Sequence, residues 1–88
     1  MCMVTGEELK RNLSRNLRML RANRKPRMSQ RMLAKRIGVT QKSISNYETE
    51  VNLPPLSVLM DMANYFGVTA DELLSGNFQC KKGRDDKK

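Results

Sequence analysis

The chain has 88 residues, 39% of them apolar, a formal net charge of +8, two cysteines and no histidine. That length holds one core and excludes a second domain, and no apolar run approaches the roughly 20 residues that a membrane span needs. The start, MCMVTGEELK, lacks the basic and apolar regions of a secretory signal, and Cys2 and Cys80 make neither a disulfide framework nor, without histidine, a zinc-ligand pattern.

Helix signals recur along the chain. Thr5 with Glu8 forms a capping box, flanked by Val4 and Leu9 at the two positions of a hydrophobic staple. The first helix is predicted from about Gly6 to Ala22, with Leu9, Leu13, Leu17 and Leu20 on one face. A basic loop follows from Asn23 to Met28, where Pro26 pushes Lys25 out of helical geometry. Ser29 caps a second helix, Gln30 to Ile37, which ends at Gly38, a residue that tolerates the left-handed C-cap. Thr40 caps a third, Gln41 to about Glu48. After a loop over Glu50–Pro54, Pro55 favours the first turn of a fourth helix, which carries Leu56, Leu59, Met62, Ala63 and Phe66 as far as Gly67. Thr69 with Glu72 repeats the capping box for a short fifth helix, Ala70 to about Leu74, and Ser75-Gly76 closes the domain. No segment alternates in the manner of a strand, so the expected fold is all-α. Residues 1–4 are read as an extension, 5–76 as the domain and 77–88 as a basic, disordered tail with a possible anchor at Phe78.

Charge is unevenly distributed. From Leu9 to Arg36 there are eleven basic residues and no acid. A solvated face normally mixes both signs, so a one-signed stretch reads as the footprint of a polyanion, solubility charge and an anionic membrane surface being the plainer alternatives. Arg outnumbers Lys there eight to three, which suits forked contacts to phosphate.

The segment QRMLAKRIGVTQKSISNYE is the most specific. Two helices crossing steeply need a small residue where they approach and a residue free to take positive φ in the turn. Ala34 and Gly38 supply these, and Leu33, Ile37, Val39, Ile44 and Tyr47 fall where apolar side chains close the core between the helices. This is the pattern of a helix-turn-helix, whose second helix can enter a major groove.

With NLRMLR before it and LPPLSVLMDMANYFGVTADELL after it, the segment resembles the Xre family of bacterial and phage DNA-binding regulators, relatives of the phage Cro and lambda repressor proteins, over residues of about 9 to 74. The resemblance implies a compact five-helix, lambda-repressor-like domain that binds an operator in double-stranded DNA through its third helix, often as a homodimer on a palindromic site. It assigns Gln41, Lys42, Ser45 and Asn46 to base edges, chemistry that suits them, since Lys reaches guanine acceptors and Gln or Asn pairs with adenine. It assigns Gln30 and Thr40 to phosphate, with Ser43 sharing in that contact and Arg31 beside them, and it pairs Arg21 with Glu48 as an architectural tie. Ile44 and Tyr47 are read as core rather than stacking residues.

The chain departs from the family pattern in two places. Relatives carry a glycine and basic residues shortly after the acid that ends the third helix, whereas this chain reads Glu48-Thr49-Glu50-Val51-Asn52. The connection between the first two helices is about two residues longer than usual and reads RKPR, so Arg24, Lys25 and Arg27 are expected to replace the missing phosphate grip. The fifth helix and Phe78 are expected to supply any apolar pairing surface, and the methionines, Met32 and Met62 included, are expected to pack.

Catalysis has little to rest on: there is no histidine, no glycine-rich phosphate loop and no carboxylate pair in a plausible pocket. The expectation is a non-enzymatic, cytoplasmic protein with free thiols, a disulfide between Cys2 and Cys80 being the lesser alternative. It would have no metal, cofactor, small-molecule substrate or membrane partner. A protein-interaction module on the same fold, such as an antitoxin-like or anti-repressor partner, is the rival reading, because fold alone does not settle function. Nonspecific nucleoid or RNA binding is a third.

Overall fold

Four of the helix starts are closed by hydroxyls. Thr5 Oγ1 accepts from the Glu8 amide at 3.1 Å, Ser29 Oγ from Met32 at 3.0 Å, Thr40 Oγ1 from Ser43 at 3.1 Å and Thr69 Oγ1 from Glu72 at 3.0 Å. At Thr5 and Thr69 the glutamate three residues on accepts in return from the cap's own amide, which satisfies two orphan donors at once. The structure, a computed structural model, describes residues 5–76. Among these the chain forms α1 (Gly6–Ala22), α2 (Gln30–Ile37), α3 (Gln41–Glu48), α4 (Leu56–Phe66) and α5 (Ala70–Leu73), with no strand. Val4, Cys2, Phe78 and Cys80, with the expectations placed on them, lie outside the described residues.

Helix α4 begins differently. Pro55 stands before the helix as its cap, in extended geometry at φ −62° and ψ 161°, and no side chain closes the start. Proline fixes φ near −65° and so sets the angle at which the chain enters the helix, while the first-turn amides of α4 receive no side-chain cap.

Three helix ends share one bond. A residue just past each end donates its amide to the carbonyl five residues back: Val39 to Ala34 at 3.0 Å, Val51 to Asn46 at 2.9 Å and Val68 to Ala63 at 3.0 Å. The bond requires a left-handed residue just before that donor. Gly38 (φ +88°) and Gly67 (φ +71°) meet the requirement without a Cβ, but past the end of α3 the residue is Glu50, at φ +67°.

The core gathers one stripe from every helix: Leu13, Leu17 and Leu20 of α1, Leu33 and Ala34 of α2, Ile44 and Tyr47 of α3, Leu59, Met62 and Ala63 of α4, and Leu73 of α5. Burying an aliphatic side chain of this size stabilises by about 1.5–3 kcal/mol. Four residues of α5 could not hold a helix alone, and polar side chains of α1 fix its C-terminal end. Asn16 Nδ2 lies 2.7 Å from the Leu73 carbonyl and 2.9 Å from that of Ser75, Asn12 Nδ2 donates to Leu74 at 3.0 Å, and Arg15 Nη1 donates to Gly76 at 3.0 Å.

This arrangement narrows one expectation and corrects another. Leu73 is fully buried, so at the fifth helix only the half-buried Ala70 and Leu74 keep apolar surface in solvent. Met62 packs as expected, but Met32 is exposed, and the other large apolar side chains left in solvent are Val51, Leu56 and Met60. Leu56 and Met60 are one turn apart on the outer face of α4. Nor do α4 and α5 contribute a cation: from Ser43 to Gly76 there are five acids and no Lys or Arg.

Candidate nucleic-acid interface

Helix α3 is docked by Ile44 and Tyr47, which are buried against the rest of the core. Successive helical residues turn by about 100°, so Lys42 and Asn46 lie opposite that buried edge and Gln41 and Ser45 on its flank. Gln41 and Lys42 are exposed, and Ser45 and Asn46 half-buried. None of these four side chains hydrogen-bonds to a described residue, so their donors and acceptors remain available to a ligand. At the start of the helix, the Thr40 hydroxyl also lies 3.0 Å from that of Ser43. Both hydroxyls therefore order the first turn of α3.

The end of α3 is held by Glu48. Its carboxylate accepts from Arg21 Nε and Arg21 Nη2, each at 2.6 Å, and from Gln30 Nε2 at 3.0 Å. Its main-chain carbonyl accepts from Ser14 Oγ at 2.6 Å. The two side chains of the ion pair are 10% and 2% exposed, deep enough that breaking one partner would leave an uncompensated charge. Arg21 also closes the basic loop: its Nη1 donates to the Met28 carbonyl at 2.8 Å, and its own carbonyl accepts from the Met28 amide at 3.2 Å. One residue at the end of α3 is thus tied to α1 and to the start of α2.

A family model described as Helix-turn-helix matches residues 17–73, more than half of the chain. The chain belongs to this helix-turn-helix family, of the Xre, Cro and lambda-repressor type. A search of curated proteins and of solved structures gave no match. The family is one of DNA-binding domains, and in this chain the helix-turn-helix is α2, the turn through Gly38 and α3.

The cations assigned to phosphate divide on the structure. Lys25, Arg27 and Arg31 are exposed and make no ion pair among the described residues. Arg24 makes contacts within the domain: its Nη2 donates to the Tyr65 carbonyl at 3.3 Å, and its guanidinium lies 4.8 Å from the Tyr65 ring centre and 5.2 Å from that of Phe66. It rests on the last turn of α4, where a cation is favoured both by the ring faces and by the negative end of the helix dipole. The Gln30 amide nitrogen is likewise turned to Glu48. What the start of α2 presents outward is backbone, since the amides of a first turn have no partner within the helix. Sequence reasoning missed Ser14 and Asn16. Both stand on the inward side of α1 beside Leu13 and Leu17, and a polar residue on a buried stripe is the signal that could have found them.

No helix of the described residues is long and apolar enough to cross a membrane. Among the same residues, no group of three or more acidic or sulfur ligands is placed to hold a metal ion.

Proposed function

We propose that this chain is a sequence-specific regulator of transcription that acts on double-stranded DNA in the cytoplasm, with α3 in the major groove. The observation that carries the reading is the outer face of α3. Four side chains able to read base edges are unpartnered there, on a helix whose other side is fixed by Ile44, Tyr47 and the buried Glu48 contacts. In this reading Gln41, Lys42, Ser45 and Asn46 meet base edges. Thr40, Ser43 and the amides at the start of α2 meet phosphate, with Lys25, Arg27 and Arg31 adding charge and Arg24 holding the loop from behind. A homodimer on a palindromic operator would set its two α3 helices about 34 Å apart.

Selection of bound sites from random duplex DNA, followed by footprinting, tests the reading. Enrichment of a motif is expected, and Lys42→Ala should weaken the selected site by about 1–3 kcal/mol and relax preference at one position, with the urea midpoint unchanged. Failure to enrich any motif at physiological salt would refute sequence-specific binding. A second reading, a partner-binding module, draws on Val51, Leu56 and Met60, which are exposed on the cation-free part of the domain. It is favoured if Lys42→Ala has no sequence-dependent effect.

A further inference from the structure

A duplex held in register needs backbone contacts around the reading helix, because phosphate contacts fix position while base contacts specify. At the N-terminal end of α3 the chain supplies them through Thr40, the start of α2 and Arg31. At the C-terminal end the loop supplies no cation: residues 49–52 contain no Lys or Arg and one acid, Glu50.

The neighbouring edge of α1 is cationic. Ser14 Oγ is bonded to the Glu48 carbonyl at 2.6 Å, which places that edge of α1 against the end of α3. One turn further on, Arg18 Nε donates to the Ser14 carbonyl at 3.2 Å. At about 100° per residue, Arg18 is turned about 40° from Ser14 toward solvent. Arg18 is exposed, forms no ion pair among the described residues, and its two Nη groups have no hydrogen-bond partner there. Arg15, the adjacent exposed arginine, leans the other way: its Nη1 is bonded to the Gly76 carbonyl beyond α5 at 3.0 Å.

We propose that Arg18 is a DNA-backbone contact, its Nη groups binding a phosphodiester beside the C-terminal end of α3 in place of the cation that the α3–α4 loop lacks. The inference rests on the DNA reading above and adds to it a residue from outside the helix-turn-helix. The Nε bond orients the guanidinium, and the planar fork suits a phosphate.

Arg18→Gln and Arg15→Gln remove the same charge from neighbouring positions of one helix. Binding of each to the selected duplex is measured by fluorescence anisotropy across a salt series, with urea unfolding as the control for folding. Arg18→Gln should reduce the slope of log K against log salt by about 0.9 per bound protomer, the value for one lost phosphate contact. It should weaken binding at low salt roughly tenfold, the scale of a charge-assisted hydrogen bond, while leaving the ranking of duplex variants unchanged. Arg18→Lys, which keeps the charge, should restore most of the slope, and Arg15→Gln should change it little. Equal changes for Arg18→Gln and Arg15→Gln would overturn the proposal, leaving net charge as the cause, and would leave the sequence-specific reading intact. If the wild-type chain prefers no duplex, that reading fails first and the proposal falls with it.

Discussion

Replacing Glu50 by glycine should stabilise the protein, although no apolar contact is gained. Glu50 sits at φ +67°, in the left-handed region where a Cβ crowds the backbone at a cost of about 1–2 kcal/mol. The bond that this geometry permits, Val51 to Asn46, has the same form at the ends of α2 and α4, where glycine stands at the left-handed position. Glycine at position 50 would remove the crowding but loses about 0.5–1 kcal/mol more conformational entropy on folding. The substitution also deletes an acidic charge, so Glu50→Ala is the proper reference, since it deletes the charge and keeps the Cβ. The difference between the Ala and Gly variants isolates the backbone effect, at about 1 kcal/mol in favour of glycine. In urea, where m is about 1 kcal/mol per molar for a small domain, the midpoint should rise by about 1 M from Ala to Gly. The melting temperature should rise by about 4–8 °C. If the glycine variant unfolds at the same urea concentration as the alanine variant, or a lower one, the end of α3 is not strained and the reasoning fails.

Glu48→Gln leaves the Arg21 guanidinium, 10% exposed, against a neutral amide, and removing one partner of a buried pair costs about 3–5 kcal/mol. Urea unfolding measures this, and a loss under about 1 kcal/mol, the worth of an exposed pair, would show that the pair does not hold α3. Arg24→Ala should cost about 1 kcal/mol of stability through its ring and carbonyl contacts and leave the salt slope of DNA binding unaltered. A reduced slope at unchanged stability would return Arg24 to the phosphate contacts.

What could be read before the structure was local. Thr5, Ser29, Thr40 and Thr69 mark helix starts because a cap acts within three residues, and Gly38 and Gly67 mark ends because few other residues take positive φ without strain. Glu50 escaped for the same reason in reverse: a non-glycine at that position gives no local sign of its conformation. The Ser14 and Asn16 contacts, formed across separations of 34 and 57 residues, depend on how the helices pack, which spacing does not reveal. Arg24 is the instructive case. The sequence places it in a basic loop, but a long side chain reaches beyond its own segment, and only the position of the α4 terminus decides where it rests. For α3 itself, which side faces the core was legible from Ile44 and Tyr47. The pairing of Glu48 with Arg21 was suggested by family resemblance rather than by any pattern in the residues alone.

The separation of charge along the chain bears on the approach to DNA as well as on contact. Twelve cations stand between Thr5 and Lys42 against two acids, while the remainder to Gly76 holds five acids and no cation. The cations of residues 5–42 are drawn toward a polyanion while the acids of residues 43–76 are repelled by it, so encounters led by the basic helices are favoured over the others. Steering of this kind raises the association rate and falls steeply with ionic strength.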